Sequence, residues 1–123
     1  MIMKQAKDLC PTATKKRTEL GAWILDLRDQ EDVNQFRFDV ANYISIPLKQ
    51  LENRQNELPK GERIICVCDN PSNATLAAQY LLNQGFEKVY YMRRSVVKWL
   101  AKGFPVIGDV SKDTEQTSCG CSH

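Results

Sequence analysis

The apolar and polar positions of this chain alternate between short apolar runs and segments with helical spacing. Four runs rich in aliphatic, aromatic or β-branched residues are typical of strands, and they lie at residues 23–27, 43–46, 63–68 and 89–92. The segments between them carry apolar residues three or four positions apart, which predicts helices. Strands that alternate with helices predict an α/β fold with a parallel sheet covered on both faces. In such a sheet, ligands bind outside the carboxyl ends of the strands.

The predicted helices have recognisable ends. Pro11 begins one helix and Gly21 ends it, whereas a segment with an acidic first turn predicts another over residues 29–36. A third is predicted over residues 48–58, and a fourth from Val96 to Ala101. A further helix follows the strand at 63–68, and its predicted inner face consists of Leu76, Ala77, Tyr80, Leu81 and Gln84.

Size and composition narrow the function classes. The 123 residues predict one domain over residues 1–107, followed by a polar, flexible, cysteine-containing tail over 108–123. A net charge of +2, without a basic stripe interleaved with aromatics, argues against a nucleic-acid partner. No segment is apolar and long enough for a membrane span or a signal peptide. We therefore expect a cytoplasmic protein with no membrane partner and no cofactor.

The cysteines and the histidine set limits on the chemistry. Five cysteines are an odd number without regular spacing, which in a reducing compartment favours reactive or metal-binding thiols over disulfides. The single histidine is His123, the last residue. A Ser-His-Asp or Cys-His pair would have to recruit that terminus, so histidine-assisted hydrolysis is disfavoured.

Cys68 is the strongest candidate nucleophile. It ends an apolar strand, and the polar loop that follows leads directly into a helix. That order can bring backbone N–H groups and a helix N-terminus to the sulfur, which favours the thiolate. The loop contains no basic residue, and its predicted substrate-binding positions are Asp69, Asn70, Ser72, Asn73 and Ala74.

The order and spacing of these motifs resemble the rhodanese homology domain over residues 10–106. The resemblance is carried by Leu25-Asp26-Leu27-Arg28, Ile44-Ser45-Ile46-Pro47-Leu48, the strand–Cys68–loop–helix unit, Gly85-Phe86-Glu87-Lys88-Val89-Tyr90, Trp99 and Gly103-Phe104-Pro105-Val106. It implies a five-stranded parallel sheet flanked by helices on both faces. It also implies that Cys68 carries sulfane sulfur as a persulfide, taken from thiosulfate or another persulfide donor and passed to a thiol or protein acceptor.

The Cys68 loop departs from the family pattern. Sulfurtransferase loops of this family resemble Cys-Arg-Ser-Gly-x-Arg-Ser, and here both arginine positions are lost, to Asp69 and Asn73. Pro71 replaces the glycine and removes an N–H donor. A carboxylate at Asp69 should raise the pKa of the thiol and repel an anionic donor. We hypothesise that Arg93 or Arg94, in the turn after the strand at 89–92, supplies the missing positive charge.

Other polar residues have structural and functional interpretations. Asp26 and Arg28 are expected to form a structural ion pair, and Cys66 a buried apolar position. Cys119, Cys121 and His123 could be an inert end, a sulfur relay to Cys68, or part of a zinc or copper(I) site. Cys10 could join the last two but is expected to begin a helix.

Three functions remain to be compared. The first is a rhodanese-like sulfurtransferase that uses Cys68. The second is a catalytically inactive rhodanese-like module that binds a partner or senses redox state, which the altered loop favours. The third, a thiolate phosphatase or arsenate reductase, requires an arginine about six residues after the cysteine, where Ala74 and Thr75 lie instead.

Overall fold

The structure, a computed structural model, describes residues 6–93 and 96–108. The strands are β1 (Lys7–Leu9), β2 (Trp23–Asp26), β3 (Phe36–Phe38), β4 (Tyr43–Ser45), β5 (Ile64–Val67), β6 (Val89–Met92) and β7 (Val106–Gly108). The helices are α1 (Pro11–Glu19), α2 (Gln30–Gln35), α3 (Leu51–Arg54), α4 (Pro71–Asn83) and α5 (Val96–Ala101), with 3₁₀ turns at Leu48–Gln50 and Gln55–Glu57.

Five strands form one sheet in the order β1-β6-β5-β2-β4, and every pair in it is parallel. The predicted five-stranded parallel sheet is therefore confirmed. β5 lies at its centre, where Cys66 is level with Leu25 of β2 and Tyr91 of β6. A central strand of a parallel sheet is buried on both sides, which explains the continuous apolar run of β5.

Two apolar cores cover the two faces of the sheet. Successive residues of a strand point to opposite faces, so Leu25 and Cys66 belong to one core, and Ile24 and Ile65 to the other. The first core is closed by small residues of α4 and by Leu51 and Leu58. The second is closed by residues of α5 and β3, among them Trp99. Helices on both faces were predicted, and both faces are covered.

Two strands outside the main sheet correct the predicted helix at 29–36. That helix ends at Gln35, and Phe36 begins β3, which pairs antiparallel with β7. Phe36 and Phe38 are buried while Arg37 is exposed, which is strand alternation rather than helical spacing. Gly108, the first residue of the predicted tail, pairs with Phe36, and residues 109–123 lie outside the described part of the chain.

Two further helix predictions need correction. The segment at 48–58 is not one helix, because α3 has only four residues and lies between two 3₁₀ turns. On α4, Leu76 is 66% exposed, whereas Ala74, Ala77, Ala78 and Leu81 face the core. The inner face of α4 therefore begins at Ala74, two residues earlier than predicted, and its small side chains let the helix approach the sheet closely. β1 was not predicted at all.

Candidate functional site

Cys68 follows β5 directly and lies at the carboxyl edge of the sheet. Its residue surface is only 7% exposed, and its side chain packs with the core beneath α4. The loop is short because α4 begins at Pro71, with Asn70 at its N-cap. The Asn70 Oδ1 accepts a hydrogen bond from the Ser72 N–H (2.9 Å), which fixes the turn after the cysteine. The predicted strand–cysteine–loop–helix unit is thus present.

The protonation of Cys68 reflects opposing influences. Burial raises the pKa of its thiol most, and the Asn70 and Asp69 backbone N–H groups lower it. The Asp69 and Asp26 carboxylates raise it further, and the net pKa lies above the ordinary thiol value. The loop therefore helps the thiolate through its N–H groups, as predicted, but burial and negative charge outweigh that help.

A cavity of about 360 Å³ opens beside Cys68. It lies between the Cys68 loop, the end of β2, the start of α2 and the turn after β4. Its lining residues are Leu27, Arg28, Asp29, Asp32, Leu48, Lys49, Cys68, Asp69, Asn70 and Asn73. The cavity is therefore at the edge of the sheet where an α/β fold binds ligands.

The structure separates the predicted loop residues into two groups. Asp69, Asn70 and Asn73 line the cavity together with Cys68. Ser72 is exposed and holds the Asn70 side chain, whereas Ala74 is fully buried in the core against the sheet. Arg94, Cys119, Cys121 and His123 lie outside the described residues.

Asp26 and Arg28 form the predicted ion pair, and it is almost fully buried. The Arg28 Nη2 donates to Asp26 Oδ2 (2.8 Å) and to the Phe36 carbonyl oxygen (2.8 Å), and the Tyr43 hydroxyl donates to the same carboxylate oxygen (2.7 Å). Burial lowers the pKa of Arg28, but its bonds to Asp26 more than offset this and keep the guanidinium charged. Burial and Asp26 both raise the pKa of Tyr43.

The cations beside the cavity differ from those expected. Arg93 Nη1 donates to Asp8 Oδ2 in β1 (2.7 Å), and Arg93 does not line the Cys68 cavity. The part of the hypothesis that concerns Arg93 is therefore wrong. Among the described residues, Arg28 and Lys49 are the cations that line the cavity. Sequence reasoning missed Asp32 and Lys49, although the cavity does lie outside the carboxyl ends of the strands, as predicted.

The two other described cysteines have contrasting surroundings. Cys66 is completely buried, as predicted, and burial raises the pKa of its thiol. Cys10 is half-buried at the N-cap of α1, where its Sγ accepts a hydrogen bond from the Ala13 N–H (3.4 Å). That N–H group lowers the pKa of Cys10 most, burial partly opposes it, and the Thr12 N–H group and the nearby Arg93 lower the pKa further.

No helix in the described part of the chain combines the length and the apolar character needed to cross a membrane.

Comparison with known proteins agrees with this geometry. The family model of the Rhodanese-like domain matches residues 11–102. A sulfurtransferase of Allochromatium vinosum is 23% identical over 84 residues, which cover 68% of this chain and 77% of the relative. The thiosulfate sulfurtransferase GlpE of Coxiella burnetii is 25% identical over 101 residues, which cover 82% and 91%.

A solved structure shows the same fold. The solution structure of a polysulfide-sulfur transferase homodimer from Wolinella succinogenes superimposes with a TM-score of 0.74 at 22% identity, covering 86% of this chain and 81% of that one. The family model covers most of the chain. The chain therefore belongs to the rhodanese-like domain family.

Proposed function

We propose that the protein is a sulfurtransferase that carries sulfane sulfur as a persulfide on Cys68. The observation that carries the proposal is the position of Cys68, at the carboxyl end of the central strand and in the wall of the cavity. The relatives named sulfurtransferases support the same chemistry at the level of the family. The partners are a small sulfur donor and a thiol or protein acceptor.

The reaction needs no cofactor because the sulfur moves between two sulfur atoms. The Cys68 thiolate attacks the outer sulfur of a donor, a new S–S bond forms at Sγ, and the bond from that sulfur to the rest of the donor breaks. Thiosulfate would leave as sulfite, and an organic persulfide as a thiolate, each with the electron pair of the broken bond. A thiolate acceptor then takes the outer sulfur and returns Cys68 to its thiolate form.

The residues of the loop have separate proposed roles. The backbone N–H groups of Asp69 and Asn70 stabilise negative charge on the sulfur, as donors in an anion hole do. The side chains of Asn70 and Asn73 contact the donor from the cavity wall. Ser72 and Ala74 are positioning residues, since one fixes the Asn70 turn and the other seats α4 on the sheet.

A second function is favoured by the burial of the thiol. Cys68 is 7% exposed and its pKa is raised, so little thiolate is present at neutral pH. A rhodanese-like module that binds a partner needs no reactive thiol and would tolerate this, whereas redox sensing at Cys68 would need a more accessible thiolate. The free cysteines of the described part suit a reducing compartment, and we propose the cytoplasm.

Turnover of a matched pair of variants separates the two functions. Sulfur transfer to cyanide is measured as thiocyanate, with thiosulfate and with an organic persulfide as donors. Cys68→Ser should lower the rate at least about a hundredfold, because the nucleophile is lost. Cys10→Ser removes a half-exposed thiol outside the cavity and should retain the rate. Equal rates for the parent and Cys68→Ser would overturn the sulfurtransferase proposal.

A further inference from the structure

Carboxylates are the main charged groups in the walls of the Cys68 cavity. Asp29 and Asp32 come from the start of α2, and Asp69 comes from the Cys68 loop. Within the described residues, neither Asp29 nor Asp32 forms an ion pair. Asp32 also lines a smaller polar cavity alongside, so it lies between two cavities. A donor in the cavity therefore meets negative charge around its body.

Among the described residues, the two cations that line the cavity do not balance Asp29 and Asp32 together. Arg28 is 3% exposed, and the Asp26 carboxylate behind it already matches its charge. Lys49 is exposed at the mouth, where it lines an adjoining groove together with Asp29. The charge of Asp32 is thus left without a matching cation among the described lining residues. An ammonium group on a donor could supply it.

Positive polarity is concentrated at the sulfur. The Asp69 and Asn70 N–H groups act on the Cys68 Sγ, and α4 begins directly behind them. A favourable donor therefore has an electron-rich sulfur at one end and a positive charge at the other. Thiosulfate has negative charge at both ends.

Size and donor geometry favour an organic ligand. The cavity of about 360 Å³ is within the range of small-molecule sites, and a five-atom ion fills only a small part of it. The carboxylates also do not form a metal site, since no group of three acidic, cysteine or histidine side chains in the described part of the chain could hold a metal ion. The cation that these walls suit is therefore an organic ammonium group.

We infer that the Cys68 cavity selects sulfur donors by charge, favouring a small organic persulfide that bears an ammonium group over anionic persulfides and thiosulfate. This inference rests on the proposed sulfur transfer at Cys68. In the step, the Cys68 thiolate attacks the outer sulfur of R–S–SH, and the S–S bond of the donor breaks. R–S⁻ leaves with the electron pair, and the proton stays on the new persulfide, so no oxidant or reductant is needed.

The charge preference is measured first without turnover. Two methanethiosulfonates that carry opposite charges on the same ethyl linker, 2-aminoethyl and 2-sulfonatoethyl, each transfer their thioalkyl group to a thiolate and release methanesulfinate. Their rates at Cys68 in the full chain are followed by peptide mass spectrometry, with fragmentation to separate Cys68 from Cys66. The ratio of the two rates is divided by the same ratio for free cysteine. The normalised ratio then reports how the surroundings of Cys68 discriminate between the two reagents, and its change in the aspartate variants isolates the contribution of their charge.

The normalised ratio should favour the cationic reagent by about threefold to tenfold at low ionic strength and fall in high salt. Asp32→Asn and Asp29→Asn should each lower it about twofold or more. Glu87→Gln is the matched control, because it removes the same charge next to β6 at the opposite, amino end of the strands. A ratio at or below one, or a ratio that both asparagine variants leave unchanged, would overturn the inference.

Sulfur transfer from 2-aminoethyl persulfide and 2-sulfonatoethyl persulfide then tests the inference on substrates. The parent should use the amine with the higher kcat/KM, and Asp32→Asn should narrow the difference about twofold or more. Equal use of both donors would refute the charge selection and leave the proposed function intact. A cation preference in the thiol reaction without sulfur uptake from either donor would refute the proposed function and with it the selection of sulfur donors, while the charge preference of the cavity itself would stand.

Discussion

The three described cysteines show how strongly local surroundings change one side chain. Cys66 is sealed in the core, Cys68 lies in the wall of a cavity beneath carboxylates, and Cys10 caps a helix beside Arg93. Burial disfavours the charged thiolate, whereas N–H groups and a guanidinium favour it. The pKa of the thiol is accordingly raised at Cys66 and Cys68 and lowered at Cys10.

The rate of alkylation by iodoacetamide, a neutral reagent, should therefore rank Cys10 above Cys68 at pH 7. A lowered pKa gives Cys10 more thiolate at that pH, and a raised pKa gives Cys68 less. As the pH rises, the rate at Cys10 should level off first, while the rate at Cys68 should still increase near pH 9. Peptide mass spectrometry after timed quenching measures both. A rate at Cys68 that levels off below pH 8 would show that the loop N–H groups outweigh burial.

At this scale, residues were predictable where their local sequence decides their environment. Two opposite charges at the end of a buried strand predicted the Asp26–Arg28 pair, and an apolar run predicted the burial of Cys66. Arg93 was misassigned because strand β1, which carries its partner Asp8, was itself not predicted. Asp32 and Lys49 reach the cavity only because segments distant in sequence meet there, and the local sequence around each residue does not show this.

Among the secondary-structure elements, the long apolar strands were predictable and the short ones were not. β3 has three residues, and its alternation was hidden behind the helical pattern of α2. It is stabilised by pairing with β7, far along the chain. β1 (Lys7–Leu9) contains one apolar residue, so the sequence shows no apolar run there. It is held in the sheet by backbone pairing with β6. Both strands depend on long-range hydrogen bonds rather than on their own composition.

The end of β2 supplies a stability prediction. Asp26→Asn should lower the free energy of unfolding by about 3–5 kcal/mol, because it leaves the buried Arg28 charge without its partner. Tyr43→Phe removes only the hydroxyl that donates to Asp26, and it should cost about 1–2 kcal/mol.

Urea denaturation at pH 7 measures both variants against the parent. Arg28 and Tyr43 both donate to the Asp26 carboxylate, so comparing the two variants separates the loss of the ion pair from the loss of one hydrogen bond. If Asp26→Asn cost no more than Tyr43→Phe, the charge of Arg28 would be satisfied by the Phe36 carbonyl and by its stacking on the Phe36 ring (4.4 Å).

For the molecule as a whole, the alternation of strands and helices predicted both the parallel sheet and the edge that carries the site. The carboxyl ends of β2, β4 and β5 meet there, which places the segments after Leu27, Ile46 and Val67 around one cavity. The parallel topology brings these segments together regardless of which side chains they carry. The loop sequence determines the rest, and here it places Asp69 and Asn73, rather than basic residues, beside Cys68.

The central claim is that Cys68 accepts one sulfur atom, and the mass of the intact protein tests it most directly. Protein incubated with an organic persulfide or thiosulfate should gain the mass of one sulfur, located at Cys68 by peptide fragmentation and removed by cyanide. Cys68→Ser should gain no sulfur at this position, whereas Cys10→Ser should gain it like the parent. A parent protein that takes up no sulfur at Cys68 from either donor, or an equal gain in Cys68→Ser, would contradict the account.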